Sequence, residues 1–424
     1  MNTLLQFERK ATARATQLKK AVLACFYSTS AEAEARFAGF ELRDWQRILY
    51  WLDISGLALY LLDRLTTLGL ERCVPAPILS RFRDDLAENR ARTDALFQEA
   101  AAISAELMRL GVEFALYKGI TLTPDSVPDS ALRWQIDLDF LVAASDATAA
   151  RHALMTFDYG LHAVCGNSME FIAGERGAPD IRKIYQIRTE RLLEMHMVAT
   201  AGRDGRRGDR LSRAELRNIQ GAMIPALAPA DTLVQQCIHL FKHICGEHTR
   251  ASWVLELWRH LQARSDDAVF WQEVERIAAI EPQGEIALGI ALLLSRMMFG
   301  SAGQNAFTRS AIGRLPHKVR LWVETFGQRI LLADSAGNKL YLILRRELRT
   351  ETPNHPTLRR LIFPTHLPPP ITRGQPGERL GSRLSRYRRE LSFFFSRLQF
   401  HVVEGLRYAI ELSRWQRRMT ETSR

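Results

Sequence analysis

The sequence predicts an α+β protein, with a small mixed β-sheet embedded in a mainly helical chain. Apolar residues recur at helical spacing through the first 95 residues and again from about residue 229. Between these stretches lie short apolar segments with the two-residue period of strands. At 424 residues, with 46% apolar and 25% charged side chains, the chain suits two or three domains with a sizeable core. The pattern divides it into a helical N-terminal region (1–95), an α/β core (96–200), a helical domain (201–350), and a proline-rich linker with a basic helical tail (351–424).

The elements follow in order. Trp45, Ile48, Leu49, Leu52 and Ile54, then Leu57, Leu61 and Leu62, mark amphipathic helices. DALFQEAAAISAELMRL (94–110) is rich in Ala, Leu and Glu and is stopped by Gly111. VEFALY (112–117) reads as a strand ended by Lys118-Gly119, and LRWQIDLDFLV (132–142) as a second strand. ASDATAARHALMTF (144–157) reads as a helix capped by Ser145 or Asp146. SMEFIAG (168–174) and IRKIYQI (181–187) flank the turn signal ERGAPD and predict a hairpin. RLLEMHMVA (191–199) is a further strand, and the Gly- and Arg-rich segment 201–212 a loop. The longest apolar run, Ile286 to Leu294, is about half of what a membrane span needs and reads as a buried helix.

The N-terminus carries charges where a secretory signal places its apolar segment, so a cytoplasmic protein is expected. Cys25, Cys73, Cys165, Cys237 and Cys245 are scattered without a CxxC pair, and buried thiols are expected rather than disulfides. The net charge is +11, and residues 351–424 hold fourteen Arg against six Glu, with no Lys or Asp, a net +8. Such a tail suits nucleic acid, an anionic membrane surface or an acidic partner, although Arg is favoured over Lys along the whole chain.

The alternation in 132–142 separates two faces. Leu132, Trp134, Ile136, Leu138 and Phe140 share one; Arg133, Gln135, Asp137 and Asp139 share the other. Aspartates at i and i+2 lie about 6.5–7 Å apart along the backbone, within reach of one cation. Asp is a poor strand residue, so two in a strand centre call for compensation. In RLLEMHMVA, Glu194 and His196 face away from Leu193 and Met195, and Glu194 can supply a third carboxylate. Three carboxylates make a natural cage for Mg²⁺. On the pattern alone, a metal site and a solvated polar strand stand level.

The run LYKGITL, then Arg133, then QIDLDFLV resembles the KG…R…DxDxLV signature of uncharacterised bacterial nucleotidyltransferases with a DNA polymerase β-like fold. LLEMHM resembles the ExH strand of that family, and CIHLFKHIC with WVLELWRHL its helical H…H…W region, together spanning roughly residues 95–265. The resemblance implies Mg²⁺- or Mn²⁺-dependent transfer of a nucleoside monophosphate from an NTP to an acceptor (a small molecule, peptide or protein). Asp137, Asp139 and Glu194 would bind the metal, Glu194 also helping to activate the acceptor hydroxyl. Lys118 and Gly119 would stand at the phosphate-holding turn, with His196 beside the nucleotide and Arg133 either in contact with the triphosphate or paired with Asp137. A catalytically weak member serving as a binding or assembly module in a biosynthetic cluster is the alternative.

His239 and His243 have a zinc-compatible i, i+4 spacing, but no HExxH glutamate accompanies them, and a packed helix face is the simpler expectation. No GxGxxG, GxxxxGK[ST] or GxSxG occurs. SRYRRELSFFFSRLQF in the tail mixes basic and aromatic residues that could lie on a membrane or bind a partner helix, and a packed amphipathic helix is the simpler account.

Overall fold

The structure, a computed structural model, describes residues 2–174, 183–187, 190–198, 210–219, 221–301, 303, 305–333, 337–348 and 380–422. It comprises two compact units. One holds Met1–Phe241 and Arg250–Leu315; the other holds Lys242–Thr249 and Pro316–Arg424.

The first unit opens with helices α1 (Asn2–Cys25), α2 (Ser30–Phe37), α3 (Leu42–Ser55), α4 (Ala58–Leu68) and α5 (Ala76–Arg109). Trp45, Ile48, Leu52, Leu57 and Leu61 are fully buried, as their helical spacing requires. Helix α5 begins far upstream of the Ala-rich stretch that predicted it and ends before Gly111, whose φ is +68°.

Among the described residues, seven strands follow: β1 (Phe114–Leu116), β2 (Asp137–Ala143), β3 (Gly160–Cys165), β4 (Ser168–Ala173), β5 (Arg191–Val198), β6 (Glu215–Ile219) and β7 (Ala222–Ala226). They form one mixed sheet in the order β3-β4-β5-β2-β1-β7-β6. β5 lies parallel to β2 and β7 parallel to β1, while the other neighbours are antiparallel. Helix α6 (Ala147–Met155) connects β2 to β3. Leu138, Phe140 and Val142 pack with Leu193 and Met195 against Ile103 and Leu107 of α5 and Ala153 and Leu154 of α6. The opposite face has its own small core of Ala115, Tyr117, Leu141, Ala143, Leu211 and Leu227. Beyond the aspartates, therefore, β2 is buried on both sides.

Several expectations need correction. The partner of β4 in a hairpin is β3, not 181–187. Residues 183–186 form a turn, 187 is irregular, and 181 and 182 lie outside the described residues. Residues 132–136 precede β2, and Leu132 ends a 3-10 turn. β6 and β7 lie beyond residue 200, where the pattern pointed to loop and helices. Asp146 stands at the N-cap of α6, but its Oδ2 accepts the Glu113 N–H at 2.8 Å instead of bonding within the helix. Most of the loop expected at 201–212 lies outside the described residues. All five cysteines are free; Cys25 and Cys237 are buried, whereas Cys165 is exposed.

Helices α7 (Pro229–Ile244), α8 (Ala251–Ala263), α9 (Ala268–Ile280), α10 (Gly284–Phe299) and α11 (Ala306–Gly313) follow. The Ile286–Leu294 run lies within α10, where Leu288 and Ile290 to Leu294 are buried. The second unit holds α12 (His317–Leu331), α13 (Tyr341–Glu347) and the 43-residue α14 (Leu380–Thr422). The linker 351–379 lies outside the described residues. Among the described residues, no helix is long and apolar enough to cross a membrane.

Candidate active site

The site lies where β1 ends beside the first half of β2 and β5. The parallel register sets Asp139 opposite Glu194 and Leu141 opposite His196. Residues opposite one another in neighbouring strands share a face, so Asp139, Glu194 and His196 stand together on the side away from the main core. The Tyr117 N–H donates to the Asp139 carbonyl at 3.1 Å. Its ring meets the His196 imidazole edge-on, with 4.9 Å between centroids.

Lys118 then takes a φ of +59°, a conformation uncommon outside glycine. Its ammonium lies 4.9 Å from the centre of the Tyr117 ring. Nζ is 2.6 Å from Asp139 Oδ1 and 3.1 Å from Glu194 Oε2, and also 3.1 Å from His196 Nε2. His196 Nε2 in turn lies 3.1 Å from Glu194 Oε2 and 3.3 Å from Asp139 Oδ1. Four functional groups thus converge on one point.

The electrostatics follow from this crowding. Hydrogen bonding from His196, with Lys118 adding charge, holds the Glu194 carboxyl far below the usual carboxylate range. Burial alone would lower the proton affinities of His196 and Lys118, but their acidic neighbours outweigh it and raise both. Asp137 is pushed up to about 6, by burial first and by the Asp139 carboxylate second.

Ligand atoms of Asp139, Glu194 and His196 all lie within 4.8 Å of one another. Two carboxylate oxygens and one imidazole nitrogen fit a divalent cation; the oxygens suit Mg²⁺ or Mn²⁺, and the nitrogen tilts the set towards Mn²⁺. Asp137 stands outside this group.

The remaining sequence candidates are placed differently. Arg133 is engaged by Glu256, with Nε 3.3 Å from Oε1, and the Tyr60 hydroxyl donates to the same carboxylate at 2.9 Å. Arg133 also donates to Gln135 Oε1 at 3.2 Å. Gly119 lies against the Gln135 side chain, and a Cβ there would come within 2.1 Å of Oε1. Lys118 to Leu122 form a single 3-10 turn. His239 packs edge-on against Trp253, at 4.7 Å.

Sequence reasoning assigns no role to Tyr117 or Arg250, and it places Gln135 on the face of the aspartates without giving it one. The Arg250 guanidinium lies 4.1 Å from the Trp134 ring centre and 5.2 Å from that of Trp253. It is close enough to Arg133, Glu256 and Asp137 to feel their charges, and burial lowers it to about 10. The one local signal for it was Trp134 in a strand-like run. The contact itself joins segments more than a hundred residues apart.

Residues 41–300 match the model of a family described as uncharacterised nucleotidyltransferases, more than half of the chain. The chain belongs to that family. Among solved structures, it is similar to an antigenic nucleotidyltransferase-like protein from Paracoccidioides brasiliensis. The two share 13% identity over 46% of this chain and 93% of that one, with a TM-score of 0.30, too low to bear on the site. No curated protein matches significantly.

Proposed function

We propose that this chain is a metal-dependent nucleotidyltransferase that moves a nucleoside monophosphate from an NTP to an acceptor hydroxyl, breaking the bond between the α- and β-phosphates and releasing pyrophosphate. The observation that carries the reading is the meeting of Asp139, Glu194 and His196 within 4.8 Å, in a member of a nucleotidyltransferase family. Asp139 and Glu194 would hold the ion with His196, and Asp137 is the nearest further carboxylate on the strand. When bound, the ion supplies charge that neutralises the phosphates of the nucleotide. Glu194, held ionised, is better suited to ligation than to taking a proton from the acceptor. Lys118, whose ammonium touches two of the ion's carboxylate ligands, is the cation we assign to the triphosphate. Gly119, with no Cβ, lets the turn pack closely on Gln135.

A second reading has its own support. Lys118 is paired within the carboxylate cluster and Arg133 with Glu256, so two cations expected at the phosphates are already engaged. A catalytically weak member would bind nucleotide without transferring it.

The deciding experiment incubates the protein with α-labelled NTPs and Mg²⁺ or Mn²⁺, with candidate acceptors added, and follows both label transfer and nucleotide binding. Transfer that disappears in Asp139→Ala supports the enzyme reading. Binding without transfer supports the second. Neither survives if nucleotide does not bind, or if binding and transfer are unchanged in a combined Asp139→Ala, Glu194→Ala variant.

A further inference from the structure

Helix α14 does not bury its apolar face in the way its sequence suggests. Towards its C-terminus it packs well: Phe400, Tyr408 and Trp415 are buried, and the Trp415 indole N–H donates to Glu347 Oε1 at 2.9 Å. Arg329 pairs with Glu411 at 2.8 Å. A different face stays open. Leu380, Leu384, Tyr387, Leu391, Phe395, Leu398, Val402 and Leu406 are all exposed, from 44% to 76%.

These residues follow one another in steps of four, three and four, an 11-residue repeat. At about 3.67 residues per turn this repeat stays close to one line along a straight helix, unlike the heptad seam of a left-handed coiled coil. From Leu380 to Leu406 the strip is about 39 Å long at 1.5 Å per residue. Soluble monomers seldom expose so continuous an apolar surface without a use for it.

The charge beside the strip is of one sign. Arg383, Arg388 and Arg389 are exposed, and from Leu380 to Val403 there is no exposed acid. Glu390 is half-buried and 3.5 Å from Arg386, and Glu404 is buried against Arg407. On the helix, Arg383 and Arg388 fall on opposite borders of the strip. A second copy pairing along it would bring arginines together without acids to match. Nucleic acid would use the arginines but not the leucines.

We propose that this face of α14 docks on an anionic membrane surface, lying in the interface with its apolar strip among the acyl chains and its arginines at the headgroups. An interfacial helix requires both properties, an unbroken apolar strip and a cationic border. The inference is independent of the nucleotide reading.

The test is co-sedimentation of the full-length protein with vesicles of phosphatidylcholine alone and of phosphatidylcholine with phosphatidylglycerol. Binding to the mixed vesicles is expected to exceed binding to the neutral ones by roughly tenfold or more and to weaken as salt is raised. L391S with F395S should abolish it, and R383Q with R388Q should weaken it roughly thirtyfold. All four positions are exposed, so circular dichroism and thermal unfolding of the variants should match the parent. Absence of vesicle binding, or binding unchanged in L391S with F395S, overturns the proposal. So does a dimer by light scattering that L391S with F395S dissociates, or binding to oligonucleotides but not to vesicles.

Discussion

Lys118 Nζ lies 2.6 Å from Asp139 Oδ1, joining the turn after β1 to the centre of β2. The ammonium is an internal counter-ion for Asp139 and Glu194, within hydrogen-bonding distance of every group in the candidate metal set. A cation entering the same cluster competes with it. Lys118→Met removes the competitor and keeps much of the stem's volume. Mn²⁺ binding without nucleotide, followed by calorimetry, should tighten by roughly tenfold, about 1.4 kcal/mol. Nucleotide affinity in the presence of Mn²⁺ should fall, because the charge released towards the phosphates is gone. Weaker Mn²⁺ binding in the variant would make Lys118 a support of the site.

Asp137 gives a prediction of the opposite kind. Its carboxyl is pushed up to about 6 from 3.8 by burial and by Asp139. A folded-state value above the unfolded one means that the folded chain holds the proton longer. The stability this lends is complete below about pH 4 and is lost as pH rises through 6. At pH 7 the ionised carboxylate therefore costs stability, on the order of 2–3 kcal/mol. Asp137→Asn should raise the melting temperature at pH 7 and leave it nearly unchanged at pH 4. If Asp137 also ligates the ion, added Mn²⁺ should stabilise the parent more than the variant, and equal stabilisation would leave the three-residue set sufficient.

How much of this was legible in the sequence depends on where the information lay. The faces of β2 and β5 were, because Leu138, Phe140, Leu193 and Met195 pay for burial on one side while acids and a histidine line the other. β3 was not: as an edge strand with nearly every residue exposed, it carries no apolar period. β7 was hidden by Pro225, which argues against a strand although it pairs with Leu216. The Lys118–Asp139 contact depends on a left-handed lysine, a backbone state that composition does not announce. Likewise, Arg250 reaches Trp134 only through the tertiary fold, and the open strip on α14 is visible only once its other face has found its partners.

Gly119 is held to its size by Gln135. A Cβ would meet the Gln135 amide at 2.1–2.4 Å. That side chain has little freedom to retreat: its Nε2 donates to the Asp137 carbonyl at 2.8 Å and its Oε1 accepts from Arg133. Gly119→Ala should cost about 1–3 kcal/mol in chemical denaturation, as overpacking does. Because the displaced amide braces the start of β2, Mn²⁺ affinity should also fall. Gly119→Ala combined with Gln135→Ala should recover part of the stability, and a purely additive double variant would show that the two do not act through one contact.

His260 supplies a pH dependence away from the carboxylates. The imidazole is buried, with Nδ1 2.9 Å from Gln236 Oε1 and 3.2 Å from Ser126 Oγ. Its Nε2 lies 3.8 Å from an Asp125 carboxylate that Arg264 already holds at 2.9 Å. Burial lowers the group to about 4, a shift that Asp125 only partly opposes and that Arg264 and Arg217 reinforce. The folded value lies below the unfolded one, so the unfolded chain takes up the proton first. Stability is therefore full above about pH 6.5 and is lost as pH falls towards 4. Between pH 7 and pH 5 the loss from this group is about 2 kcal/mol. His260→Gln is expected to lower stability at pH 7 and to flatten the decline between pH 7 and 5, both read from urea midpoints. A variant with the parent's slope would assign the acid sensitivity to other groups.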